Sequence, residues 1–150
     1  MKVRIKKLHP DAIIPMYATE GASGFDLVAI EDVEIGPDCT ALIRTGLSFE
    51  VPKGYELQVR PRSGLSLKTR MRVANSPGTV DADYRGEVCI IIDNIDSVCP
   101  QYGGGRIQVI KKGDRIAQGV ICPVIQAELE EVTGLSDSER GSGGFGSTGV

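Results

Sequence analysis

Apolar residues come in short blocks, each closed by glycine, proline, asparagine or aspartate. Lys2 to Lys7 alternates basic positions with Val3 and Ile5, the period-two pattern of a half-buried strand. Phe25 to Ala29 reads as a second strand, entered through Gly21-Ala22-Ser23-Gly24. After a turn at Ile35-Gly36-Pro37-Asp38, Thr40 to Thr45 reads as another. Leu47 to Val51 and Tyr55 to Arg60 flank Pro52-Lys53-Gly54, a hairpin with proline and glycine where a turn wants them. Val88 to Ile92 is continuously apolar and rich in β-branched residues, as a buried strand is. Arg106–Ile110, Arg115–Val124 and Ala127–Val132 complete the series. Leu65 to Val73 alone predicts a helix, a short one ended by the turn at Pro77. Many short strands with Gly/Pro punctuation predict an all-β sandwich, jelly roll or barrel, without internal repeat or interdomain linker.

Composition narrows this picture by exclusion. The chain has 150 residues, 41% hydrophobic and 25% charged, which suits one globular domain with a real core. A net charge of -3 leaves no basic footprint for nucleic acid. No apolar run approaches a membrane span, so no membrane is expected. Met1 to Lys7 lacks the apolar core of a signal peptide, which points to the cytoplasm. Cys39, Cys89, Cys99 and Cys122 form no Cys-x-x-Cys pair and His9 is the single histidine, so neither structural zinc nor cysteine–histidine catalysis is expected. The cysteines read as reduced thiols, mostly in the core.

Candidate chemistry gathers in a few stretches. Asn75-Ser76-Pro77-Gly78-Thr79-Val80-Asp81-Ala82-Asp83-Tyr84-Arg85-Gly86-Glu87-Val88 sets two aspartates and a tyrosine on a tight turn before the buried strand. In Arg60-Pro61-Arg62-Ser63-Gly64, Arg62 can fork onto phosphate oxygens, Ser63 can donate, and Gly64 permits close approach. Gln118 interrupts an apolar strand and needs a partner, a core amide or a ligand. From Ser136 the sequence is glycine- and serine-rich and cannot fold alone. Its single arginine, single phenylalanine, hydroxyls and accessible backbone N–H groups suit a phosphate together with a flat ring.

In order, Gly21–Leu27, Pro61–Leu65, Asn75–Val88, Gly113–Gln118 and Arg140–Gly149 match the five motifs of the trimeric dUTP diphosphatase (dUTPase) family, which the chain closely resembles over almost its whole length. The resemblance implies a β-clip, jelly-roll-like subunit with one short helix. Residues 1–135 would form the β-domain and 136–150 a flexible C-terminal arm closing over an active site, usually a neighbour's. It implies a homotrimer that hydrolyses dUTP to dUMP and pyrophosphate. Asp81 would be the general base for a water attacking the α-phosphorus and would meet the 3′-OH. Tyr84 would lie under the sugar and exclude ribose. Asn75 and main-chain groups of Thr79, Val80, Asp81 and Cys89 would read uracil. Arg62, Ser63, Gly64 and Gln118 would hold the phosphates, with Mg²⁺ bridging them and Asp26 touching that ion only through water. Arg140 would clamp the γ-phosphate, Phe145 would stack on uracil, and Gly146, Ser147 and Thr148 would cover the phosphates.

Two departures stand out. The segment from Ile95 to Gly105 is longer than expected between the third and fourth motifs, as an extended loop or hairpin would be. The chain also ends one residue after Gly149, without a basic tail. A dCTP deaminase shares the fold and the trimer, but its catalytic glutamate would fall where this chain has Ile91.

Overall fold

The computed structural model describes residues 1–98, 101, 104–144 and 147. In chain order the described elements are β1 (Arg4–Lys7), β2 (Phe25–Val28), β3 (Val33–Ile35), β4 (Thr40–Arg44), β5 (Leu47–Glu50), β6 (Tyr55–Arg60), α1 (Ser63–Lys68), β7 (Met71–Val73), β8 (Gly78–Val80), β9 (Cys89–Asn94), β10 (Gln108–Ile110) and β11 (Arg115–Pro123). All pairings are antiparallel. One sheet has the order β2-β11-β6-β8, a second β4-β9-β7, and β1-β5 and β10-β3 form two ribbons. The all-β prediction therefore holds. Among the described residues no helix is long and apolar enough to cross a membrane.

Period-two alternation turns one face of each sheet inward. Leu57 and Val59 of β6, Ile90 and Ile92 of β9, and Ile116 of β11 meet Leu27, Ile43 and Phe49 in one continuous core. Phe25 stacks on Phe49 at 6.0 Å with the rings 13° from parallel. Gly119 lies against Phe25, and a Cβ there would stand 2.5 Å from the ring. Glycine is thus required in the middle of β11, where a side chain would push the ring out of the core.

Several elements differ from the sequence reading. The helix ends at Lys68 rather than running to Val73. Thr69 is already extended (φ −133°), and its N–H closes the last turn on the Leu65 carbonyl at 3.0 Å. Beyond it Met71 and Val73 bury 96% and 94% of their surface on either side of Arg72, so the period is that of a strand, and β7 pairs with β9. Two short strands, β3 and β8, lie where the sequence reading places no strand. The strand expected over Ala127–Val132 does not form. Ile125, Leu129 and Leu135 are 94%, 93% and 90% exposed, and no sheet edge of the same chain supplies hydrogen-bond partners there. Val124 donates to Gly54 at 2.9 Å, and beyond it the chain leaves the body.

Among the described residues of 95–105 no strand forms. The loop folds back on the β3–β4 turn: Asp96 accepts from Asp38 N–H at 3.1 Å and Gly105 donates to Ser97 at 2.7 Å. Cys39 is exposed and Cys89 and Cys122 are half-buried, all as free thiols, so none of these three lies in the core as expected. Cys99 is outside the described residues.

Candidate active site

The four-stranded sheet brings three of the singled-out stretches together. On the central strand β11, Gln118 stands between Asp26 of β2 and Arg60 of β6. Its amide donates to the Pro61 carbonyl at 2.9 Å, fixing the chain just before Arg62. Gly24 is what lets Gln118 sit there, since a Cβ at that position would stand 2.9 Å from the amide oxygen. Asp26 is bracketed by two cations. Arg62 Nε lies 2.7 Å from one carboxylate oxygen and Arg115 Nη1 3.2 Å from the other. Arg62 also donates to the Arg115 carbonyl at 2.9 Å. Ser63 and Gly64 follow at the start of α1, both exposed. Nothing lies within 4 Å of where a Gly64 Cβ would be, so packing within the chain does not require glycine there. Arg115 belongs to the fourth motif stretch, but sequence reasoning gave it no role; its tie to Asp26 spans 89 residues.

The second cluster is the turn after β8. Gly78, Thr79 and Val80 pair with Val59, Gln58 and Leu57 of β6. β8 is the outer strand of its sheet, so one row of its main-chain N–H and C=O groups faces away from β6 with no strand beyond. Asn75 packs on Gly78, with its amide nitrogen 3.1 Å from where a Cβ would stand. Asp81 follows, exposed. Its carbonyl accepts from Tyr84 N–H at 3.2 Å, while its carboxylate joins no hydrogen bond or ion pair among the described residues. Tyr84 is 47% exposed. The turn is anchored from behind by the segment joining β4 to β5. Ser48 Oγ donates to the Arg85 carbonyl at 2.8 Å and Val88 N–H to the Leu47 carbonyl at 2.8 Å. Glu87 accepts from Gly46 N–H at 2.7 Å and from both Nε and Nη2 of Arg44 at 3.1 and 3.0 Å. Cys89 begins β9 opposite Arg44. Burial, and then the Glu87 charge, push its thiol up, so it stays protonated at neutral pH and is no nucleophile.

Within one chain these two clusters lie apart. Val80 stands opposite Leu57, so Asp81 falls beside position 56, whereas Arg62 lies beyond the other end of β6. Six residue steps at about 3.3 Å each put roughly 20 Å between them. Asn75, by contrast, sits toward the Arg60 end, because Gly78 stands opposite Val59. The described part of the arm is a string of tight turns in solvent: Arg140 donates to its own Gly143 carbonyl at 2.9 Å, and Ser147 N–H donates to Gly144 at 3.0 Å. Phe145, Gly146 and Thr148 are outside the described residues.

Comparison with known proteins speaks to the chain as a whole. The family model described as dUTPase matches residues 10–149. Deoxyuridine 5'-triphosphate nucleotidohydrolase from Nautilia profundicola is 54% identical over 149 residues, covering 99% of each chain. The protein of that name from Helicobacter pylori is 52% identical, covering 100% of this chain and 98% of its own. Among solved structures, a mutant dUTPase of Staphylococcus bacteriophage 80alpha with dUpNHpp superposes with a TM-score of 0.88 at 31% identity, covering 99% of each chain. A mutant dUTPase from phage phi11 of S. aureus, described with a structural Mg(II) ion, superposes at 0.79 with 27% identity, covering 89% of this chain and 98% of its own. Matched from end to end in sequence and in backbone, the chain belongs to the dUTPase family, the dUTP diphosphatases, and has their β-clip, jelly-roll-like fold.

Proposed function

We propose that this chain hydrolyses dUTP to dUMP and pyrophosphate, with Asp81 as general base, in a site built between the subunits of a homotrimer. The observation that carries this reading is the unpartnered carboxylate of Asp81, presented by a turn whose far end, residues 85 to 88, is pinned from behind. A carboxylate so placed can orient a water and take its proton as that water attacks the α-phosphorus. The phosphates would lie at Arg62, Ser63, Gly64 and Gln118. Gly64 has open space where its side chain would be, which is the room a phosphate oxygen needs. The unpaired edge of β8, with Asn75 and Cys89, would read uracil through main-chain groups that leave no space for a C5 methyl. Tyr84 would close off the sugar's 2′ side.

Residues 1–135 would form the β-domain. The roughly 20 Å between Asp81 and Arg62 supports an assembly in which base and phosphate pocket come from different subunits. Ile125, Leu129 and Leu135, bare in one chain, would be covered by a neighbouring subunit. Residues 136–150 would then close over a neighbour's site, Arg140 on the γ-phosphate, Phe145 on the base, and Gly146, Ser147 and Thr148 over the phosphates. Among the described residues no three carboxylate, cysteine or histidine groups stand together to hold a metal, and Asp26 has each oxygen on an arginine. This donor set fits a Mg²⁺ carried by the triphosphate and touched by Asp26 through water. The ion would supply charge neutralisation across the phosphates.

The test compares dUTP, dCTP, dTTP and UTP side by side with product identification. Pyrophosphate and dUMP from dUTP alone, only with Mg²⁺ present, is the expected result; ammonia from dCTP would overturn it. Cutting the chain before Arg140 is expected to leave a folded, assembled protein whose turnover falls about tenfold or more, because the cover is gone and water enters. Unfolding on truncation, seen by circular dichroism, would contradict an arm that acts as a lid.

A further inference from the structure

Arg44 lies outside all five motifs, and Glu87, inside the third, has been given no contact with substrate. Their geometry points to a shared task. The Tyr84 hydroxyl donates to the Glu87 carbonyl at 3.1 Å. The ring lies directly on Gly86, where a Cβ would stand 2.3 Å from the hydroxyl oxygen and 2.5 Å from Cζ. The height of the ring is thus set by the backbone of residues 86 and 87. That backbone is held in turn by the Glu87 carboxylate, only 18% exposed, with one oxygen on Gly46 N–H at 2.7 Å and the other on Arg44 Nε and Nη2 at 3.1 and 3.0 Å. The seat is itself unyielding. Gly46 has φ +67°, and a Cβ on it would come within 2.9 Å of Ala12 and 3.0 Å of His9. The Glu87 carboxylate is held by charge-assisted hydrogen bonds, Gly86 is a steric stop, and a neutral hydrogen bond ties the ring to the Glu87 carbonyl, so displacement at Arg44 passes to the ring with little slack.

We propose that Arg44 and Glu87 are positioning residues for sugar selection: together they set how closely the Tyr84 ring approaches the sugar, and so how strongly a ribose is refused. This rests on the reading above that Tyr84 lies under the sugar. Refusal of a hydroxyl by contact is sensitive to shifts well below an ångström, whereas the Asp81 carboxylate takes part in none of the contacts that hold the ring. Loosening the clamp therefore acts on the choice between substrates more than on the reaction itself.

The experiment measures kcat/KM for dUTP and for UTP in Glu87→Gln, Arg44→Ala, Arg44→Lys and Tyr84→Ala, at a temperature where circular dichroism shows each folded. Glu87→Gln keeps an oxygen for Gly46 but turns an amide N–H toward the guanidinium, so donor faces donor and Arg44 lets go. Arg44→Lys keeps the charge and loses the fork. The ratio of the two kcat/KM values cancels the amount of active protein, so a merely structural weakening leaves it unchanged. A fall in the dUTP/UTP ratio of about tenfold or more is expected in Glu87→Gln and Arg44→Ala, with Arg44→Lys between them and the parent. An unchanged ratio in all three clamp variants, with Tyr84→Ala admitting UTP, overturns the inference and leaves the sugar reading standing. An unchanged ratio in Tyr84→Ala as well overturns both. Should Glu87→Gln fail to fold, the two Arg44 variants decide the matter alone.

Discussion

Asp81→Asn is expected to bind dUTP about as well as the parent and to turn it over roughly 10²- to 10⁴-fold more slowly, the range general-base removal usually costs. Asparagine keeps the shape of the side chain and one oxygen able to accept from the sugar hydroxyl. A carboxamide cannot take a proton from water at neutral pH. The turn itself should not move, because none of its anchors involves this side chain: Ser48, Gly46, Leu47 and Arg44 all act on residues 85 to 88. The measurement is single-turnover hydrolysis beside equilibrium binding of a non-hydrolysable analogue. Weakened binding with a normal rate for the bound fraction would contradict the base role.

Mixing two dead variants is expected to restore activity. Asp81→Asn and Arg62→Ala should each be nearly inactive alone, the first lacking its base and the second a phosphate contact. If base and phosphate pocket come from different subunits, co-refolded trimers contain sites that take Asp81 from one parent and Arg62 from the other. With random assembly about a quarter of the sites are intact in both, and activity should recover to that fraction of the unmutated protein. A site contained in one chain predicts no recovery at any mixing ratio. The roughly 20 Å along β6 makes the first outcome the expected one.

The sequence made the long, regular strands readable and the short ones not. β6 announces itself by alternation and β11 by an apolar run, each with turn residues at both ends, and their bounds agree within a residue or so with the structure. β8 is three residues long inside a stretch rich in proline and glycine, and nothing local marks it; it exists because β6 offers an edge and Gly78 is small enough to lie against Val59 and Asn75. β7 reads as part of the helix because Leu65, Met71 and Val73 are apolar whichever period is assumed, and only burial on the β9 side separates the two. Ala127–Val132 alternates apolar residues with glutamate as a strand can, but has no strand partner inside one chain. As for the site, its motifs could be read one at a time. Their arrangement could not, since it depends on pairings such as Arg44 with Glu87, 43 residues away, and Arg115 with Asp26, 89 residues away.

The carboxylate of Asp26 between Arg62 and Arg115 has a further consequence. Arg62, which would grip a triphosphate, already holds an anion of the chain's own, so its guanidinium keeps its place and orientation while it waits. An incoming nucleotide would then substitute for a resident rather than fill a vacuum. Its affinity would be the difference between two bonds, which favours quick exchange over tenacious capture.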